Sequence, residues 1–194
     1  MSASKRQQIL DTALVLFVQQ GLEGAATAKI AREAGVATGT LFHHFSNKQA
    51  LIAALYLEIK QELADRLPAL RADQPTREMA CRMWQAAMAW ALDHPDKIRF
   101  LLAYYQSPVL TPATRRTAKF DTLGFVLELI KMGQARGELA PYPHELMMEA
   151  CHSLFMASAG YFIDHPEQAA DPRQQEGAMA IFWNALAAPG HRLP

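Results

Sequence analysis

The chain has 194 residues, 51% of them hydrophobic, and its 19 basic and 19 acidic side chains balance to zero formal charge. That length and apolar content suit one large or two small domains with a buried core. No apolar run reaches the roughly 18 to 20 residues that cross a bilayer, and the start MSASKRQQILD lacks the apolar segment of a secretory signal, so a cytoplasmic protein away from membranes is expected.

Helical periodicity runs through the whole sequence, and no alternating strand pattern competes with it. Ser4 and Gln7 read as a capping box that opens a helix with Ile9, Leu10, Ala13, Leu14, Phe17 and Val18 on one face and Gly21 at its end. A short helix then places Ile30, Ala31 and Ala34 on one side, with Gly35 providing the left-handed backbone that ends it. Val36 fills the turn. In the next short helix Ala37, Leu41 and Phe45 cluster on one side and Gly39, Thr40 and His43 point away, while His44 turns toward the core. Two short helices around a glycine turn fit either a helix-turn-helix, whose second helix enters a major groove, or an ordinary helical hairpin. The neighbouring histidines diverge by about 100° on a helix, so no metal site is expected there.

Ser46 and Gln49 read as a second capping box, opening a long helix whose Ile52, Leu55, Tyr56, Ile59 and Leu63 form one stripe until Pro68. That helix joins the first part rigidly to the rest. Pro75 and Asp93-His94-Pro95 bracket a helix with Ala80, Met83, Trp84, Ala87, Met88 and Ala91 inside. A shorter aromatic helix follows over 98–106, ended by Ser107-Pro108. A single helix from Pro112 to Arg136 is expected next, with Phe120, Leu123, Leu127 and Ile130 inside and Gly137 closing it. The last two helices, about 144–163 and 173–186, are separated by the loop Asp164-His165-Pro166. On the first of these, Ala150, Ser153, Ala157 and Gly160 make a strip of small residues. On the second, Ala178, Ile181, Phe182, Ala185 and Leu186 make an apolar stripe. These strips either pack within one chain or join two chains in a four-helix bundle.

Charge and chemistry narrow the function. Residues 1–48 carry +2 and the remainder −2, an asymmetry that permits nucleic-acid binding without requiring it. Cys81 and Cys151 are too few for a disulfide framework and are expected as buried, reduced thiols. No G-x-S-x-G, H-E-x-x-H, phosphate-cradling loop or C-x-x-C is present, so neither enzyme activity nor a cofactor is expected. Asp93 and Asp96 read as caps or solvated charges. Aromatic and methionine side chains, among them Trp84, Met88, Trp90, Tyr104 and Met156, suit an adaptable apolar pocket as well as a plain core.

The run IAREAGVATGTLFHHFSNKQAL closely resembles the helix-turn-helix of TetR-type (tetracycline-repressor-like) transcriptional regulators, and ILDTALVLFVQQGLEGAAT resembles that family's first helix and the loop behind it. The resemblance is specific over about residues 5–55; beyond, it is one of layout. It implies an all-α protein with a three-helix DNA-binding domain over 1–48, joined by a long helix to a ligand-binding and dimerisation domain over 49–194. It also implies partners: a double-stranded DNA operator, a small apolar or aromatic effector and a second copy of the chain as homodimer. Thr27 and Lys48 would hold phosphates, and Thr38, Gly39, Thr40 and His43 would face base edges and adjoining backbone. Phe42 stands where the family commonly has a tyrosine whose hydroxyl meets phosphate, Ala28 offers no long side chain, and Ala37 replaces a common serine cap. Base specificity is correspondingly reduced. Family members of this layout place ligands between the connecting and central helices, which singles out Tyr56, Trp84, His152 and Phe155, with Trp84 and Phe155 stacking and His152 as the polar handle. The alternative is a helical ligand- or partner-binding protein that has lost specific DNA binding.

Overall fold

The computed structural model describes residues 4–105, 107, 111–117 and 122–193, and the architecture is all-α. Among the described residues there are eleven α-helices, and the extended pairing is limited to one isolated bridge, Leu139 with Ala187. They run α1 (Lys5–Gly24), α2 (Thr27–Glu33), α3 (Thr38–His44), α4 (Lys48–Arg66), α5 (Thr76–Asp93), α6 (Pro95–Tyr105), α7 (Pro112–Arg116), α8 (Gly124–Ala135), α9 (His144–Asp164), α10 (Pro166–Ala169) and α11 (Pro172–Leu186).

Helix α1 begins as its sequence dictates. The Ser4 side chain accepts from the Gln7 backbone N–H at 3.2 Å, but the Gln7 side chain, instead of closing the box, reaches Asp11 and Glu58. Gly21 (φ 76°) breaks the helix, and a last turn carries the chain to Ala25. Between α2 and α3, Gly35 sits at φ 68° while its N–H donates to Arg32 and that of Val36 to Ala31. These two bonds satisfy carbonyls that the helix end leaves bare, and they require the left-handed residue between them. Ile30, Ala31, Leu41 and Phe45 are buried beneath the turn.

Several local expectations are corrected. Ala37 and His44 are exposed, because α3 spans seven residues and rests on Leu41 and the cap residue Phe45. The cap of α4 is Asn47, whose side-chain oxygen accepts from the Ala50 N–H at 2.8 Å; Ser46 lies one residue outside. The span 112–136 is not one helix: Leu123 (φ −108°, ψ 20°) leaves helical geometry, and α8 starts at Gly124. Phe120, Gln106 and Pro108 lie outside the described residues. The turn after α9 holds the short α10, since Pro166 pre-sets the first helical φ.

Among the described residues, the first three helices meet the rest through α6 as well as through α4. Through α4, Glu58 accepts from Arg6 and Gln7, both at 2.8 Å. Separately, α1 packs on α6, where the rings of Phe17 and Phe100 stack with centroids 6.0 Å apart. Helix α9 lies at the centre of the remainder, against α5, α6, α8, α10 and α11. The chain end folds back on α11: the Trp183 indole donates to the His191 carbonyl at 2.7 Å, and Asn184 makes two bonds with the Leu193 backbone.

Candidate DNA interface and ligand cavity

Helix α3 presents one outward face. Thr38, Gly39, Phe42 and His43 are exposed and Thr40 half-buried, while Leu41 anchors the helix from behind with no exposure. A Cβ added at Gly39 would meet nothing within 4 Å, so packing does not demand glycine there; the bare backbone lowers the surface and lets another molecule come close. Phe42 is 44% exposed, a poor use of an aromatic unless something covers it. Ala37, at the start of α3, makes no side-chain cap, so the first N–H groups of the helix remain open to an outside acceptor. Thr27 is the first residue of α2 and half-buried. Lys48 is the first residue of α4, and its ammonium donates to the Glu23 carbonyl at 2.8 Å, tying α4 to the end of α1. An ammonium has three donors, so this bond leaves two for a phosphate.

The other site is a cavity of about 150 Å³ walled by α4, α5, α6, α8, α9 and α11. Tyr56, Trp84, His152 and Phe155 all line it. Trp84 meets Phe155 edge-on, at 6.2 Å and 85°, and lies more nearly parallel to Phe182, at 4.6 Å and 35°. Aromatic rings in such arrangements leave π-faces and edges for a planar guest. Sequence reasoning missed Phe182 as a wall residue by assigning it to the dimer stripe, and it missed Lys60 altogether. The signal was present: position 60 follows Tyr56 by four residues and precedes Leu63 by three, on the same helical stripe.

Lys60 is 2% exposed and its Nζ lies 3.4 Å from His152 Nδ1, with the Tyr56 ring centroid at 5.8 Å. When Lys60 is charged it only donates, so His152 Nδ1 is then the acceptor. Burial pulls the Lys60 ammonium down to a pKa of about 8 from its ordinary 10.5. The Tyr105 ring stacks obliquely on His152 with centroids 4.4 Å apart, and its hydroxyl donates to Glu149. Cys151 belongs to the same wall and burial pushes its thiol up to about 12; Cys81 is half-buried, less enclosed than the sequence suggested.

The profile of bacterial regulatory proteins of the tetR family matches residues 9–55, which spans α1 to the first turns of α4. A crystal structure from Shewanella sp. PV-4 assigned to the tetR family of transcription regulators is 46% identical, with a TM-score of 0.91 over 96% of this chain and 100% of that one. The chain belongs to the TetR family. Over 162 residues this TetR family regulator is also 28% identical to the HTH-type transcriptional regulator BetI of Escherichia coli K12, covering 79% of this chain and 78% of BetI. SmeT, the repressor of the Stenotrophomonas maltophilia multidrug efflux pump SmeDEF, shares the fold at 18% identity, with a TM-score of 0.70 over 100% of this chain and 95% of SmeT. Family members and relatives are transcriptional regulators rather than enzymes, so the outward face of α3 and the cavity under α4 belong to a TetR family regulator.

Proposed function

We propose that this TetR family regulator is a homodimeric repressor that leaves its operator when a small effector fills the cavity beside Trp84. The observation that carries this reading is the course of α4. Its first residue, Lys48, follows His44, the last residue of α3, by four positions, and Tyr56 and Lys60 on the same helix line the cavity. At 1.5 Å per residue these two lie about 12 and 18 Å further along the axis. A ligand that favours a different setting of α4 therefore changes where the α3 helices stand, and it acts only through its differential affinity for the two settings. In the dimer, two α3 helices on one DNA face must stand about 34 to 36 Å apart or a multiple of that.

Within this reading Thr38, Gly39, Thr40 and His43 meet base edges and adjoining backbone. Thr27, Lys48 and the open amides at the start of α3 hold phosphate, and Phe42 packs against sugar or a thymine methyl. Ala28, which offers no long side chain, and Phe42, which lacks a hydroxyl for phosphate, favour a second reading as a ligand-binding protein without specific DNA binding. A gel shift with the DNA upstream of the protein's own gene separates the two. Specific, salt-sensitive retardation is expected, and Lys48→Met is expected to weaken it and flatten the slope of log affinity against log salt by about one unit. Equal affinity for that DNA and a scrambled duplex would sink the repressor reading.

A further inference from the structure

Lys60 is a positive charge in an apolar room. Of the described residues lining the cavity it is the only Lys or Arg, and it stands among Leu63, Leu67, Ala80, Met83 and Trp84. Among the described residues its ammonium forms no ion pair; its partners are a long bond to His152 and the face of Tyr56. The carboxylate in the same wall, Glu149, is engaged by the Tyr105 hydroxyl. A buried ammonium without a counter-charge is costly, and a position on an apolar stripe could hold methionine or leucine more favourably. Such a cost persists where a charge has a use. From this juxtaposition we infer that the effector is a small amphipathic anion, a carboxylate on an apolar body of about one ring, with its carboxylate held by Lys60 and its body between Trp84, Phe155 and Phe182.

The inference rests on the cavity being the effector site, and it adds the charge and size of the ligand. A cavity of about 150 Å³ matches in volume an engineered protein cavity that takes up benzene. The apolar walls disfavour a naked inorganic anion, whose hydration they cannot replace. A cationic aromatic is opposed by Lys60, and a neutral one leaves the ammonium uncompensated. A carboxylate satisfies it with a charge-assisted bond in a medium where such bonds are strong.

The test is calorimetric titration of the full chain, without DNA, with three monocarboxylates (benzoate, phenylacetate, hexanoate), their neutral amides, and phenethylamine. At least one carboxylate is expected to bind, about tenfold or more tighter than its amide, with no binding of the amine. Lys60→Met and Lys60→Gln, checked for folding by circular dichroism, are both expected to lose the preference for the carboxylate. Binding is also expected to weaken in wild type as pH rises through about 8. Tyr56, Tyr105, Cys151, His152 and Glu149 face the same space, so a pH response that survives in Lys60→Gln belongs to them and counts against Lys60 as the anchor. The inference is overturned if amide and carboxylate bind alike, if the Lys60 variants retain the preference, if the amine binds best, or if no carboxylate of the series binds at millimolar concentration. Because DNA is absent, these outcomes leave the gel shift to decide the repressor reading independently.

Discussion

At Lys60 the cost of a function can be measured without knowing the ligand. The unfolded chain keeps this side chain protonated up to about 10.5, whereas the folded chain loses the proton near 8. Between those values the unfolded state holds more protons, so folding stability rises with pH across that window and levels off above it. Below 8 the folded protein carries the charged, desolvated form at a penalty on the order of 3 kcal/mol. Lys60→Met is therefore expected to stabilise the ligand-free protein by about 1 to 3 kcal/mol at pH 7 and to abolish the rise between pH 8 and 10.5. Urea denaturation at several pH values reads both effects. A variant less stable than wild type at pH 7 would mean that the ammonium is well solvated where it stands.

At the scale of elements, caps and close approaches decide where helices begin and how they pack. Asn47 supplies the cap of α4, so Asn47→Ala is expected to cost about 1 kcal/mol and Ser46→Ala close to nothing, read from thermal unfolding. The opposite ranking would restore Ser46 as the cap. Helix α8 depends on Gly133, where a Cβ would stand 2.6 Å from Leu139 and 2.7 Å from the methyl of Thr76. Thr76 is fully buried, its N–H donates to Glu138, and Arg136 donates to the carbonyls of Ala72 and Gln74, locking the α4–α5 connection onto the end of α8. With two neighbours fixed, Gly133→Ala is expected to destabilise by about 1 to 3 kcal/mol, despite alanine's better helix propensity. A stabilised variant would show that this contact relaxes easily. Opposite the cavity, burial opposes ionisation of Glu62, yet Lys97, Trp90 and His94 hold its carboxyl below the usual range and fasten α4 to α5 and α6. That fastening is lost as pH falls through the depressed folded value, because only the carboxylate form gains from these partners.

At the scale of the molecule, part of the surface of the last long helices is left uncovered by the described residues. Leu146, Tyr161 and Ile181 are 59%, 46% and 64% exposed, and Ser153, Ala157 and Ala185 are exposed between them. The small-residue strip is partly used inside the subunit, since Gly160 approaches Leu102 of α6 and Ala150 packs against the core. In the dimer proposed above, the remaining described positions of α9 and α11 would meet a second copy across a twofold interface where each residue meets its own patch. Ile181→Glu places a charge at the most exposed of them and is expected to shift the protein to monomer in sedimentation velocity at micromolar concentration. Loss of DNA binding is expected with it, because one recognition helix alone forfeits half of the contacts. A variant that stays dimeric would move the interface elsewhere.

How much of this was legible in the sequence differs with the range of the interaction. The apolar stripes of α1, α4 and α5 and the outward set Gly39, Thr40 and His43 follow from angular spacing along one helix, the turn follows from Gly35, and Thr38 joined the set through the family resemblance. The cavity quartet Tyr56, Trp84, His152 and Phe155 was reached through the family resemblance, which places ligands between the connecting and central helices. Tertiary structure alone decided the rest. Whether Lys60 points outward or into an apolar wall depends on what packs over its stripe, and whether Phe182 serves a partner or a cavity depends on the position of Trp84. The second attachment of the head, Phe17 on Phe100, joins residues more than eighty positions apart, and no local pattern encodes which distant face covers which.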